Sequence, residues 1–67
     1  MEPCIELNIF VKLKGLATTG GQAKVLIRSG AVLVNGAAET RNKRKLFEGD
    51  KVEVEGKVFI VEKELLR

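Results

Sequence analysis

Sixty-seven residues, 45% hydrophobic and 31% charged, make one domain, residues 1–67, and no more. With no His and a single Cys, the chain has no internal disulfide and no Cys/His set for zinc; no metal site and no cofactor is expected. The net charge of +3 is unevenly spread, at +7 over residues 11–45 and −2 over each of residues 1–10 and 46–67. Segregation of this kind focuses a field on one face and points to a polyanionic partner.

The amino-terminal Met-Glu-Pro-Cys has no basic stretch leading into an apolar run, so no export signal is expected. Apolar runs such as Ala31–Val34 are far too short to cross a bilayer, and a cytoplasmic location follows as the default. Cys4 reads as a small apolar residue in a reducing compartment.

Residues 7–14 read as a first helix, with Asn8 as its N-cap and an apolar stripe of Ile9, Phe10, Leu13 and Leu16. Gly15 stands where a left-handed residue closes a helix. A second helix is marked by Thr19 and Gln22 in capping-box spacing, by buried Ala23, Leu26 and Ile27, and by a stop at Gly30. Lys24 and Arg28, four residues apart, project from one face of it.

Asn35-Gly36 follows Val32 and Val34 and predicts a type I′ hairpin with a short return arm, about 37–39. After the basic loop, Gly49-Asp50 turns the chain into Val52 and Val54, which alternate with charged residues. Glu55-Gly56 turns it again into Val58–Val61, so these runs predict an antiparallel hairpin with one buried face. Residues 62–67 are expected to fray, with Leu65 and Leu66 able to dock on the core. The three phenylalanines, Phe10, Phe47 and Phe59, sit among apolar neighbours and read as core.

Arg41, Asn42, Lys43, Arg44 and Lys45 place four cations in five residues with no acid among them. Arginine suits bidentate recognition of phosphate, whereas lysine acts as a point charge. Asn42 suits either a hydrogen bond to a 2′-hydroxyl or base edge, or a turn position with positive φ.

The order and spacing of Leu7-Asn8, Gly15-Leu16-Ala17, Thr19, Ala23, Ile27, Gly30, Val32, Val34-Asn35-Gly36 and Gly49-Asp50 resemble those of the S4 RNA-binding domain family. The match covers about residues 6–56, most of the chain, and is closest to the small free-standing bacterial members. The resemblance implies an α+β fold of two helices packed on a small bent antiparallel sheet (the αL RNA-binding motif). It also implies that helix two and the loop after the first hairpin face RNA.

Two departures stand out. The chain has Glu6-Leu7-Asn8 where the family often has Arg-Leu-Asp. It has Thr19-Gly20 where the family commonly has Ser-Arg, so one expected phosphate ligand is missing. Gly20-Gly21 leaves backbone amides at a helix start that could take its place.

The expected RNA-binding residues are therefore Lys24, Arg28, Arg41, Lys43, Arg44 and Lys45. Lys12, Lys14, Thr19, Gly20, Gln22 and Asn42 could extend them. With the phenylalanines in the core, shape and phosphate recognition of structured RNA, ribosomal or transfer, is expected rather than base stacking.

A catalytic role is not expected, because a chain without His or Tyr would need a carboxylate pair or a lysine in a cleft. Glu53 and Glu55 share a strand face but read as solvated. The competing reading is a protein-interaction adaptor that docks through its charged faces, the acidic carboxy-terminal hairpin among them.

Overall fold

Two tight turns shape the sheet, and each is written in its dipeptide. Asn35 (φ +52°) and Gly36 (φ +86°) form the first; Glu55 (φ +51°) and Gly56 (φ +79°) form the second. Positive φ at both central residues marks type I′ turns, whose twist matches that of the strands they join. A computed structural model describes residues 2–66 of the protein. In chain order the elements are β1 (Ile5–Glu6), α1 (Leu7–Leu13), α2 (Gly20–Arg28), β2 (Val32–Val34), β3 (Ala37–Ala38), β4 (Lys45–Leu46), β5 (Lys51–Val54) and β6 (Lys57–Ile60). A single 3-10 turn, Lys63–Leu65, follows.

The expected α+β arrangement of two helices with small antiparallel strands is what the chain adopts. The strands divide into a four-stranded sheet, ordered β3-β2-β5-β6, and a separate two-stranded ladder of β1 with β4. That ladder pairs Ile5 with Leu46 and Glu6 with Lys45. It has no local signal, since two residues from one end of the chain meet two from beyond the middle. It also sets Glu6 directly opposite Lys45 in the register.

In the larger sheet, Val32 pairs with Val54 and Val34 with Val52. All four are buried, together with Leu7, Phe10, Val11, Ile27, Leu46 and Val61. On β6, Phe59 faces this core while Val58 and Ile60 alternate outward.

The first helix differs from its predicted orientation. Leu7, Phe10 and Val11 are buried, whereas Ile9 and Leu13 are 39% and 59% exposed. The segment Leu7–Leu13 is apolar at five of its seven positions, so two overlapping stripes satisfy the helical period. Tertiary contacts choose between them.

Asn8 does not cap the helix either. Glu6 occupies the N-cap position with extended backbone and makes no side-chain capping bond. The first two helical amides instead reach the basic loop: Leu7 N–H donates to Arg44 O (2.8 Å) and Asn8 N–H to Asn42 O (3.0 Å). At the other end Gly15 (φ +74°) closes the helix as predicted. Its N–H donates to Lys12 O (3.0 Å), and Leu16 N–H donates to Val11 O (3.1 Å), the two bonds of a Schellman motif.

The second helix buries Ala23 and Ile27 with Leu26 half-buried, as its period predicts. Thr19 Oγ1 accepts from Gln22 N–H at 3.1 Å. The return half of the capping box is shifted by one residue. Gln22 Oε1 accepts from the Thr18 amide (2.9 Å) and hydroxyl (2.6 Å), not from Thr19. The tail is ordered rather than frayed: Leu65 and Leu66 pack on the core and the 3-10 turn holds Leu65 N–H on Glu62 O at 3.0 Å. Arg67 lies outside the described residues.

Candidate nucleic-acid interface

The loop between β3 and β4 is organised by the one acid in the basic stretch. Glu39 N–H donates to Val32 O (2.9 Å), which extends the first hairpin and turns the side chain inward. Its carboxylate then accepts four hydrogen bonds. Oε2 takes the backbone N–H and Nε–H of Arg41, both at 3.0 Å. Oε1 takes Arg41 Nη2 (3.1 Å) and Arg44 Nη1 (2.6 Å). Arg44 N–H donates to Arg41 O (3.3 Å) and closes the turn.

The Glu39 side chain is only 9% exposed, and an ionised carboxylate survives there because it is fully paired. The Arg41 side-chain bonds hold it well below the usual carboxylate range, helped by Arg44 and the Arg41 amide against the opposing effect of burial. The same contact raises the Arg41 pKa above its ordinary value. In the sequence Glu39 is the single acid among the eight cations of residues 11–45. A single acid within a strongly basic segment, two residues before one arginine and five before another, was the available signal.

Each arginine therefore commits one edge to Glu39 and keeps another free. Arg41, 74% exposed, retains Nη1 and half of Nη2; Arg44, 29% exposed, retains Nε and Nη2. Lys43 and Lys45 are exposed and make no ion pair with any described residue. All four cations line one depression of about 640 Å³, whose remaining wall is Phe47 and Asp50. Asp50 is itself fixed: its carboxylate accepts from Phe47 N–H (2.8 Å) and Asn35 Nδ2 (3.2 Å).

Phe47 corrects a prediction. It is 36% exposed, unlike Phe10, which is fully buried, and Phe59, which is half-buried against the core. The apolar anchor at this place is its neighbour Leu46, fully buried in β4, and strand alternation turns the next side chain outward. Asn42 lies within the turn that Arg44 closes but without a positive φ, so a need for positive φ does not explain it. It joins the loop to α1 through its carbonyl, and its side-chain oxygen is buried without a partner among the described residues, as is that of Asn8.

The other predicted residues lie apart from this depression. Lys24 and Arg28 are exposed on α2, as expected, but do not line it. Lys12 is exposed and Lys14 folds back on the core, with Nζ 5.6 Å from the Phe10 ring centroid. Both sit at the carboxy-terminal end of α1, about 10 Å along the axis from the end that the loop caps. The side chains of Thr19 and Gln22 are occupied in the α2 cap. Gly20 opens α2 and, like Gly21, has neither a positive φ nor a crowded Cβ position to require glycine.

A sequence model of the S4 domain matches residues 1–62, nearly the whole chain. The chain belongs to the S4 domain family. Among S4 relatives, the "Putative RNA-binding protein YbcJ" of Escherichia coli is 43% identical over 54 residues, covering 81% of this chain and 77% of that protein. The "Probable ribosome maturation protein RlbA" of Bacillus subtilis is 44% identical over 52 residues, or 78% of this chain and 73% of that one. The ordered Gly-Leu-Ala, Val-Asn-Gly and Gly-Asp signals thus carried a correct family assignment. No helix among the described residues is long and apolar enough to cross a membrane.

Proposed function

We propose that the protein is a non-catalytic binder of structured RNA and that the loop 41–45 is its principal phosphate-binding element. The observation that carries this is the gathering of Arg41, Lys43, Arg44 and Lys45 around one depression, with both arginines pre-oriented by a buried carboxylate. The two arginines, held by Glu39, lose less side-chain entropy when phosphates arrive than free side chains would, which favours binding over a flexible basic tail of equal charge. Membership of the S4 family and the names of the two relatives, "Putative RNA-binding protein" and "Probable ribosome maturation protein", support RNA as the polyanion and ribosomal RNA as its class.

Salt dependence separates the loop from a wider surface. Four phosphate contacts give a slope of log affinity against log salt of about −3; adding Lys24 and Arg28 makes it about −5. The test is titration of a ribosomal RNA stem-loop at several salt concentrations. The proteins compared are wild type, the quadruple alanine variant of Arg41, Lys43, Arg44 and Lys45, and the double alanine variant of Lys24 and Arg28. Circular dichroism confirms the fold of each. Loss of binding in the quadruple variant, with a slope near −3 in wild type, supports the loop. A quadruple variant that folds and binds RNA unchanged refutes it.

A further inference from the structure

We infer that Phe47 is a stacking platform for an unpaired nucleobase, so that the RNA bound here presents a bulged or looped-out nucleotide at the basic depression. This rests on the RNA-binding reading and narrows it.

Phe47 is the one aromatic ring that the fold leaves exposed at the surface. The chain has no Trp or Tyr, Phe10 is buried, and Phe59 packs on the core. Phe47 is the most exposed of the three rings, at 36%, and no cation covers it among the described residues. Its backbone nevertheless is held rigidly. Asp50 N–H donates to Phe47 O at 3.0 Å while the Asp50 carboxylate accepts from Phe47 N–H at 2.8 Å. Gly49, at φ +90°, completes that turn. A phenylalanine on a fixed turn, beside the fully buried Leu46, presents its ring at small conformational cost.

Open space adjoins the ring on more than one side. Phe47 and Lys45 line the depression that holds the four cations and also a second hollow of about 320 Å³ with Cys4 and Glu2. A nucleotide carries an anionic phosphate and a π-face within one residue, and the depression offers partners for both. The phosphate lies toward Arg41, Lys43, Arg44 and Lys45; the base lies toward the non-cationic wall. Asp50 disfavours a phosphate at that wall and retains lone pairs for a base amine or a 2′-hydroxyl. A base within an A-form duplex cannot reach the ring, because its faces are covered by its neighbours, so the nucleotide must be unpaired.

The test uses two RNA probes of the same stem-loop, one fully paired and one carrying a single bulged 5-iodouridine. Wild type binds the bulged probe more tightly, and irradiation crosslinks the iodouridine to Phe47, located by mass spectrometry. Phe47→Leu keeps an apolar side chain of similar size. It weakens binding of the bulged probe about five- to hundred-fold and leaves the paired probe and the salt slope unchanged. Phe47→Tyr restores the preference. Equal affinity of Phe47→Leu and wild type for the bulged probe overturns the proposal while the RNA-binding reading stands, as does an equal loss on both probes. Failure of wild type to bind either probe removes the RNA-binding reading and this inference together.

Discussion

Glu39→Gln tests whether the loop is held by a buried carboxylate or merely carries an incidental ion pair. Glutamine keeps the shape but replaces one accepting oxygen with an amide that points donors at a guanidinium. The exposed Arg41 side chain is solvated in either case, so the cost comes from elsewhere. Arg44 Nη1, 2.6 Å from Oε1 and well sheltered, loses a charge-assisted bond, and the Arg41 amide loses a charged acceptor. A bond of this kind contributes about 1.5–3 kcal/mol, and glutamine retains part of it, which leaves about 2 kcal/mol.

In a chain of this size about 1 kcal/mol moves the melting temperature by roughly 4–8 °C, so the variant should melt about 8–16 °C lower at neutral pH. The pH dependence supplies a second signature. The folded-state pKa of Glu39 lies below its ordinary value of 4.5, so the stabilisation is complete above that value and is lost progressively as the pH falls below it. The gap between wild type and variant should therefore be constant from neutral pH down to about 5 and narrow steadily in more acidic solution. Thermal denaturation followed by circular dichroism across that range measures both. An unchanged melting temperature at neutral pH, or a gap that persists undiminished in acid, refutes the carboxylate as organiser of the loop.

Two further expectations concern the turns. Glu55 sits at φ +51° in a type I′ turn, where asparagine is far better tolerated. Glu55→Asn should stabilise by about 0.5–1 kcal/mol in urea denaturation, with an unchanged dependence on denaturant; a loss of stability would contradict the turn assignment. Asn35 combines φ +52° with one side-chain bond to the neighbouring strand and one to the residue before that strand, its Oδ1 accepting from Lys51 N–H (2.9 Å) and its Nδ2 donating to Asp50 (3.2 Å). Asn35→Ala loses both and strains the backbone, and should destabilise by about 2 kcal/mol in the same assay. A neutral effect would show that the hairpin is not tied to β5 through this residue.

The features legible in the sequence were those that a few neighbouring residues decide by their own chemistry. Asn35-Gly36 accepts positive φ at both residues and Gly56 does so in the second turn, so both hairpins were foreseeable. Thr19 and Gln22 bracketed the start of α2, and Gly15 and Gly30 closed the two helices. The density of cations in 41–45 and the ordered family motifs were equally local, and they sufficed for the family.

Tertiary structure decided whatever joins the two ends of the chain. Leu7–Leu13 has two apolar stripes, and its orientation was settled only when the carbonyls of Asn42 and Arg44 capped its first turn. The β1–β4 ladder, formed by two residues on each side, exists only because that contact brings its strands together. The candidate site follows the same division. Its charge was visible at once, but not its organisation around Glu39, because burial of one carboxylate depends on the hairpin that turns it inward. Nor was the exposure of Phe47, because Leu46 takes the core position and alternation then sends the ring to the surface. Short-range dihedral preferences and charge are properties of the sequence alone; which side of an ambiguous segment is buried is a property of what packs against it.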